Sequence, residues 1–234
     1  MKTSAPRTAR ARIRAELTTE IKDHARTQLA TDGAQSLSLR AIAREMGMAS
    51  SALFRYFPSR DALITALIVD SYGALAEAAE SAEAREKDGS VLDRWMAICH
   101  GVRDWATAHP HEYALIFGSP IPGYAAPPDT IAPASRVPLL LSALLADLLA
   151  EGHYDPTAQP EVPDGVVQAV TPVRGLIPPG APADLIVRGL MAWTYLFGAV
   201  SFEVFGHRHD VIDGYRDFFD HEVRRLAVVL GLDG

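Results

Sequence analysis

Apolar residues recur at spacings of three and four along most of the chain, and the breaks fall at Gly, Pro and Asp-Gly. Ile13, Leu17, Ile21, Ala25 and Leu29 predict a helix over 11–30 that stops at Asp32-Gly33. Ser38 can cap a second helix, whose Leu39, Ile42, Ala43 and Met46 share one face. Gly47 can take the left-handed conformation that closes it. A third helix starts near Ala49 or Ser50 and carries Leu53 and Phe57, with Pro58 as its stop. Ser59 can cap a long helix from Arg60, with Ala62, Leu63, Ala66, Leu67 and Leu75 inward and no strong breaker before Asp88-Gly89. Ser90 caps the next, with Val91, Trp95, Ile98, Val102 and Trp105 in one stripe, and Pro110 ends it. A short helix over 111–117 and a Pro/Ala/Gly-rich loop over 119–135 follow.

Residues 136–150 read as an apolar helix, and 151–183 show no sustained period; Val166 to Val170 is open to a brief helix or strand. Two final helices, 184–205 and 211–232, are separated by Gly206-His207-Arg208-His209. No internal repeat is visible and strand signals are thin. The class is all-α, with a basic arm (1–10), a three-helix head (11–58) and a larger helical body (59–234).

Charge sharpens this division. Residues 1–60 hold 11 Lys/Arg and 5 Asp/Glu, a balance of +6, while the remaining 11 basic and 24 acidic residues give −13. A basic module on an acidic body fits phosphate contact at one end of the molecule. Cys99 is the only cysteine, so no intrachain disulfide forms, which suits a reducing cytoplasm. The basic N-terminus lacks a following apolar core, which argues against a secretory signal. The run 189–202 is bracketed by Arg188 and Glu203 and is short for a membrane span. A soluble, cytoplasmic protein with no membrane partner is expected.

The stretch 38–57 has the layout of a helix-turn-helix, in which the leading residues of the second helix reach base edges while its apolar side packs on the first. The pattern SLRAIAREMGMASSALFRYFPSRDALI, residues 38–64, preceded by TDGAQS, resembles the tetracycline-repressor (TetR-like) family of bacterial transcription regulators. More weakly, 105–127 resembles a ligand-domain subclass marked by Trp, His and Gly, here Trp105, His109 and Gly118. The resemblance implies a homodimer that binds a palindromic double-stranded DNA operator, represses transcription and is released by a small molecule. Carried over by position, Ser38 and Arg40 face phosphate or a groove edge, and Ser50, Ser51 and Ala52 take the leading base-facing positions. Phe54, Arg55 and Tyr56 follow, and Arg60 meets phosphate. Phe54 stands where the family commonly has tyrosine, so a hydroxyl–phosphate bond is missing and readout leans on Arg40 and Arg55. Arg7, Arg10, Arg12 and Arg14 read equally as a minor-groove arm or a solvated tail.

In the body, Trp105, His109, Tyr113, Phe117, Tyr124, Trp193 and Phe197 are the candidates for lining an effector cavity, or else for core packing. No fixed cationic cluster accompanies them, so an apolar or aromatic effector is expected, and no cofactor. Ile186, Leu190, Trp193, Phe197, Val200, Val204, Tyr215, Phe218, Phe219, Leu226 and Val229, with Gly189 and Gly198 for close approach, form either a four-helix dimer interface or the monomer's own core. The rival reading is an enzyme using His and Glu groups of the body. His109/His111 and His207/His209, with Glu112 or Glu203, would then be metal ligands rather than helix-end caps. No Gly-rich phosphate loop and no Gly-x-Ser-x-Gly elbow supports that rival.

Overall fold

The computed structural model describes residues 9–152, 154 and 161–232, and all regular structure among them is helical. Helix α1 spans Ala9–Asp32. It starts before the expected residue 11, so Ala9 and Arg10 belong to a helix rather than to a basic arm; residues 1–8, including Arg7, lie outside the described residues. Ile21, Ala25 and Leu29 are buried as the periodicity requires, but Ile13 is 56% exposed because the first turns of α1 extend past the head's core.

Gly33 (φ +76°) ends α1 and a 3-10 turn, Ala34–Ser36, leads to α2 (Leu39–Glu45). Ser38 caps α2 as expected: its Oγ accepts the Ala41 N–H at 3.3 Å. Its own N–H donates to Oε1 of buried Gln28 at 3.1 Å, and Gln28 Nε2 donates to Glu45 at 3.3 Å. One α1 side chain thus fixes both ends of α2. Gly47 (φ +64°) closes α2, with Met48 N–H returning to Ala43 O at 2.8 Å. Helix α3 is only Ser50–Leu53, and a turn carries the chain to Phe57. Leu53 and Phe57 are both buried, so the expected stripe holds although the helix stops short of Phe57. Ser59 Oγ accepts the Ala62 N–H and starts α4 (Arg60–Arg85).

Helices α5 (Val91–Ala108) and α6 (Pro110–Phe117) follow. Ser90 and Asp93 form a reciprocal capping box at the start of α5, and the Ser90 hydrogen bonds hold the Asp93 carboxyl below its usual range. Helix α7 (Ile131–Ala150) begins inside the expected 119–135 loop. Pro133 is tolerated there because N–H groups of a first turn have no partner within the helix. Helix α8 (Asp164–Ala169) settles the open segment as helix, followed by a 3-10 stretch, Thr171–Leu176. Helix α9 is Ala183–Val204; α10, Tyr215–Leu230, starts four residues later than expected, after Gly214 in the left-handed conformation.

Two compact units result. The first runs to Ser71 and takes in His111–Thr130; the second comprises Tyr72–Pro110 and the chain from Ile131 onward. The expected boundary at residue 58 falls inside the first unit. The reason is visible in α4, whose Leu63, Ile64, Leu67 and Ile68 are buried and whose Asp70 accepts from Lys22 Nζ at 2.8 Å and Arg26 Nη2 at 3.0 Å. Segment 111–130 joins the same unit through Arg26 Nε, 3.3 Å from Glu112, and through a 2.9 Å hydrogen bond between the Thr65 and Tyr124 hydroxyls.

The second unit is built on α5, α7, α9 and α10. Trp95 is buried and donates its indole N–H to Val223 O at 2.9 Å. The Gly101 position is close-packed: a Cβ there would stand 2.9 Å from Ala78 O. Cys99 is fully buried, and burial pushes its thiol well above the usual range, leaving it a packing residue. Three helical segments, Arg60–Arg85, Pro128–Ala150 and Ala183–Val204, are long and apolar enough to cross a membrane by length and composition. The expected charge brackets fail for α9 because the helix runs through them. Arg188 pairs with Asp184 at 2.7 Å, and Glu203 pairs with Arg103.

Candidate nucleic-acid interface

Four residues of α3 place Ser50, Ser51 and Ala52 at its N-terminal end, with Ser51 exposed and the other two half-buried. Ala49 at the cap has no side-chain oxygen, and its carbonyl accepts the Ala52 N–H at 2.9 Å and the Leu53 N–H at 3.3 Å, which leaves the Ser50 and Ser51 N–H groups to meet an outside acceptor. Arg40 and Arg44 stand one turn apart on α2, both exposed, and neither forms an ion pair among the described residues. Arg44 is the residue that sequence reasoning missed; its signal was the i, i+4 spacing to Arg40. Phe54 is 40% exposed at the end of α3, and Arg55 is exposed beside it. The head therefore offers two free guanidinium groups on α2, small hydroxyls at the start of α3 and an apolar ring at its end.

Three other sequence-derived residues serve the head's own shape. Ser38 is spent on capping α2. Arg60 donates from Nη2 to Ala34 O at 2.7 Å and to Gln35 O at 3.3 Å, which braces the turn before α2. Tyr56 is half-buried under Arg14, whose guanidinium sits 5.0 Å from the ring centroid and donates to Arg55 O at 3.1 Å. Neither a free arm nor a solvated tail describes Arg14, because α1 carries it onto the turn after α3.

That contact has a measurable consequence. An exposed cation–π contact contributes about 1 kcal/mol. Arg14→Ala should accelerate amide hydrogen exchange at Phe54–Phe57 by about fivefold, with little change at the buried α1 amides. Arg14→Lys should recover only part of the protection, since lysine lacks the planar fork. Unchanged exchange in Arg14→Ala would remove Arg14 as a brace of the reading turn.

The seven residues expected to line one effector cavity are dispersed. Tyr113 (fully buried), Phe117 and Tyr124 belong to the first unit, with Tyr113 and Phe117 rings 4.9 Å apart and the Tyr124 hydroxyl bonded to Thr65. Trp105 and His109 lie in the second unit, stacked on each other at 5.2 Å, with His109 Nδ1 3.0 Å from Trp105 O. Phe197 is buried beside Trp193, at 5.9 Å. Only Trp193 borders the apolar cavity of that unit, about 260 Å³, whose wall includes Leu141, Leu145, Leu176 and Leu190. The reason is that segment 111–130 packs with the head, which adjacency in sequence to α5 did not reveal. The aliphatic wall residues were missed because leucines at helical spacing carry no signal that separates cavity from core.

The dimer candidates divide as well. Ile186, Phe197, Val200 and Phe219 are buried in the protomer's own core, whereas Trp193, Phe218 and Val229 are exposed; Met191, Tyr195 and Phe202 on α9, Phe205 at its C-cap and Val228 on α10, which the sequence did not single out, are exposed too. Met191, Tyr195, Phe202 and Phe205, with half-buried Gly198 between them, follow a 4-3-4-3 spacing, one unbroken helical stripe. Among the described residues no group of three His, Cys, Asp or Glu side chains is placed to hold a metal ion. His207 and His209 are exposed.

Comparison with known proteins agrees with this layout. Residues 21–67 match the profile of bacterial regulatory proteins of the tetR family, and residues 95–226 match the tetracyclin repressor-like C-terminal domain. The HTH-type transcriptional regulator Mb1846 of Mycobacterium bovis and the regulator Rv1816 of Mycobacterium tuberculosis are each 38% identical over 225 residues, covering 93% of this chain and 93% of theirs. The crystal structure of regulatory protein SCO4313 superposes with a TM-score of 0.77 at 34% identity, covering 95% of this chain and 98% of that one.

Proposed function

This chain belongs to the tetracycline-repressor family and is a DNA-binding transcriptional regulator; from that premise we propose that it is a cytoplasmic repressor, released from its operator by a small molecule. The observation that carries the reading is the exposed face of α2 and α3, where Arg40 and Arg44 have no ion-pair partner among the described residues and α3 has no side-chain cap. Guanidinium groups so placed suit phosphate, and the first residues of α3 suit base edges of the major groove. Phe54 suits apolar contact with a thymine methyl. A homodimer formed through α9 and α10 would present two such heads to half-sites about 34–36 Å apart, hence a palindrome. The effector acts by binding one conformation of the second unit more tightly than the other. Helix α4, which starts in the first unit and ends in the second, is the proposed coupling element. The two His-x-His pairs have no catalytic role in this reading.

Gel shifts on DNA from upstream of the protein's own gene, at two salt concentrations, test it. A specific complex should weaken steeply with salt, log K falling by about 0.9 per neutralised phosphate for each unit of log salt. The double variant Arg40→Ala, Arg55→Ala should bind at least about tenfold more weakly and lower that slope by about one to two. Wild-type affinity in this variant would remove the assigned contacts.

A further inference from the structure

The second unit contains a cavity with an almost wholly apolar wall, contributed by α5, α7, the 3-10 stretch, α9 and the end of α10. Trp95, Leu141, Leu144, Leu145, Ile177 and Leu190 are typical of it, and among the described residues no charged side chain borders it. Its one side-chain hydroxyl, on Ser142, is already used, donating to Leu176 O at 2.7 Å. Gly189 keeps the space open, since a Cβ there would stand 2.9 Å from Leu145 Cδ1. Trp193 and Leu176, both on the wall, are 38% and 46% exposed and so mark the mouth.

We propose that this cavity binds one uncharged, apolar small molecule, a medium-length alkyl chain or a bicyclic hydrocarbon, with at most an uncharged polar end at the apolar mouth between Trp193 and Leu176. Three arguments fix the class. A charge placed inside would lose its hydration with nothing on the wall to replace it. An apolar cavity of about 150 Å³ stays dry and accepts benzene, so about 260 Å³ takes a molecule nearly twice that size. A partner protomer is the wrong occupant. At about 100° per residue, Gly189 and Trp193 lie roughly opposite the exposed stripe Met191, Tyr195 and Phe202, so a copy seated on the stripe leaves the cavity empty. The inference rests on the second unit being the sensing domain and names the chemistry that domain senses.

n-Decanol and decanoate, alike in shape and different in charge, are the probes. Tryptophan emission of the full-length protein, with Trp95 and Trp193 in the wall, should shift and saturate with decanol. Decanoate should bind at least about tenfold more weakly. Ala192→Phe fills the cavity from α9 and should abolish the decanol response; Leu176→Trp narrows the mouth from the surface and should weaken it without threatening the fold. Equal binding of decanoate overturns the uncharged class. A decanol response that survives both variants overturns the site. Decanol that converts dimer to monomer in sedimentation overturns the choice of a small molecule over a partner chain. Gel shifts with decanol separate the two readings: saturable binding with no effect on DNA refutes regulation through this cavity and leaves the site standing. The absence of binding refutes the site and leaves ligand response elsewhere intact.

Discussion

Glu203→Ala is expected to destabilise the protein by about 3–5 kcal/mol, the cost of leaving a buried charge without its partner. Glu203 accepts two hydrogen bonds from Arg103, one from Nε at 2.8 Å and one from Nη2, in a fork that joins α9 to α5. The side chains are only 13% and 9% exposed, so little water can replace the lost carboxylate. Arg103 also lies over the Phe219 ring at 5.6 Å, which ties α10 to the same point. The remaining acceptor, Asp104 at 3.3 Å from Nη1, is half-exposed and shared with Arg216. Replacing both partners by apolar residues, Arg103→Met with Glu203→Leu, should cost far less than the single variant, because no buried charge remains. Urea unfolding at one fixed protein concentration checks this. A double variant no more stable than Glu203→Ala would show that the pair is not acting as a desolvated couple.

The second large effect concerns assembly. Phe202→Glu with Phe218→Glu is expected to turn the proposed dimer into a monomer and to remove tight operator binding with it. Phe202 and Phe218 are 51% and 38% exposed, and the Arg208 guanidinium lies 5.9 Å from the first ring and 5.5 Å from the second. Arg208 is held at 2.8 Å by Glu222, which also accepts the Tyr195 hydroxyl at 2.6 Å. Two exposed aromatic rings over a half-buried arginine that an ion pair holds in place are the composition of an interface hot spot. Gly198 lies within that stripe, and a Cβ there meets nothing within 4 Å, so the helix surface is low enough for a second helix to approach. Losing about 4 kcal/mol of association weakens the dimer by about a thousandfold. Sedimentation velocity across a concentration series reads that change directly. A double variant that stays dimeric would move the interface elsewhere, and one that turns monomeric yet keeps full operator affinity would separate dimerisation from DNA binding.

Much of the reading head was legible from the chain alone. Ser38, Gly47 and Ser59 act where expected because capping depends on residues within four positions of each other. Leu39, Ile42, Leu53 and Phe57 are buried because two short amphipathic helices have few other ways to pack. Arg14 was not legible: its role depends on a turn 41 residues away, and only the packing of α1 on that turn makes the contact. Arg60 differs similarly, since its acceptors are carbonyls of a 3-10 turn that the sequence pattern did not announce.

The second unit shows the limit of periodicity. Helix α9 is apolar on nearly every side, so its spacing predicts a helix without saying which side meets the core, the cavity or a partner. The sequence by itself determined the helical class, the helix-turn-helix and its caps, because backbone preference and one-sided patterns act over a few residues. Only the tertiary structure decided that Phe197 faces the core, Trp193 the cavity and Phe202 the open surface. That choice is made by α5, α7 and α10, which cover two sides of α9 and leave the third bare.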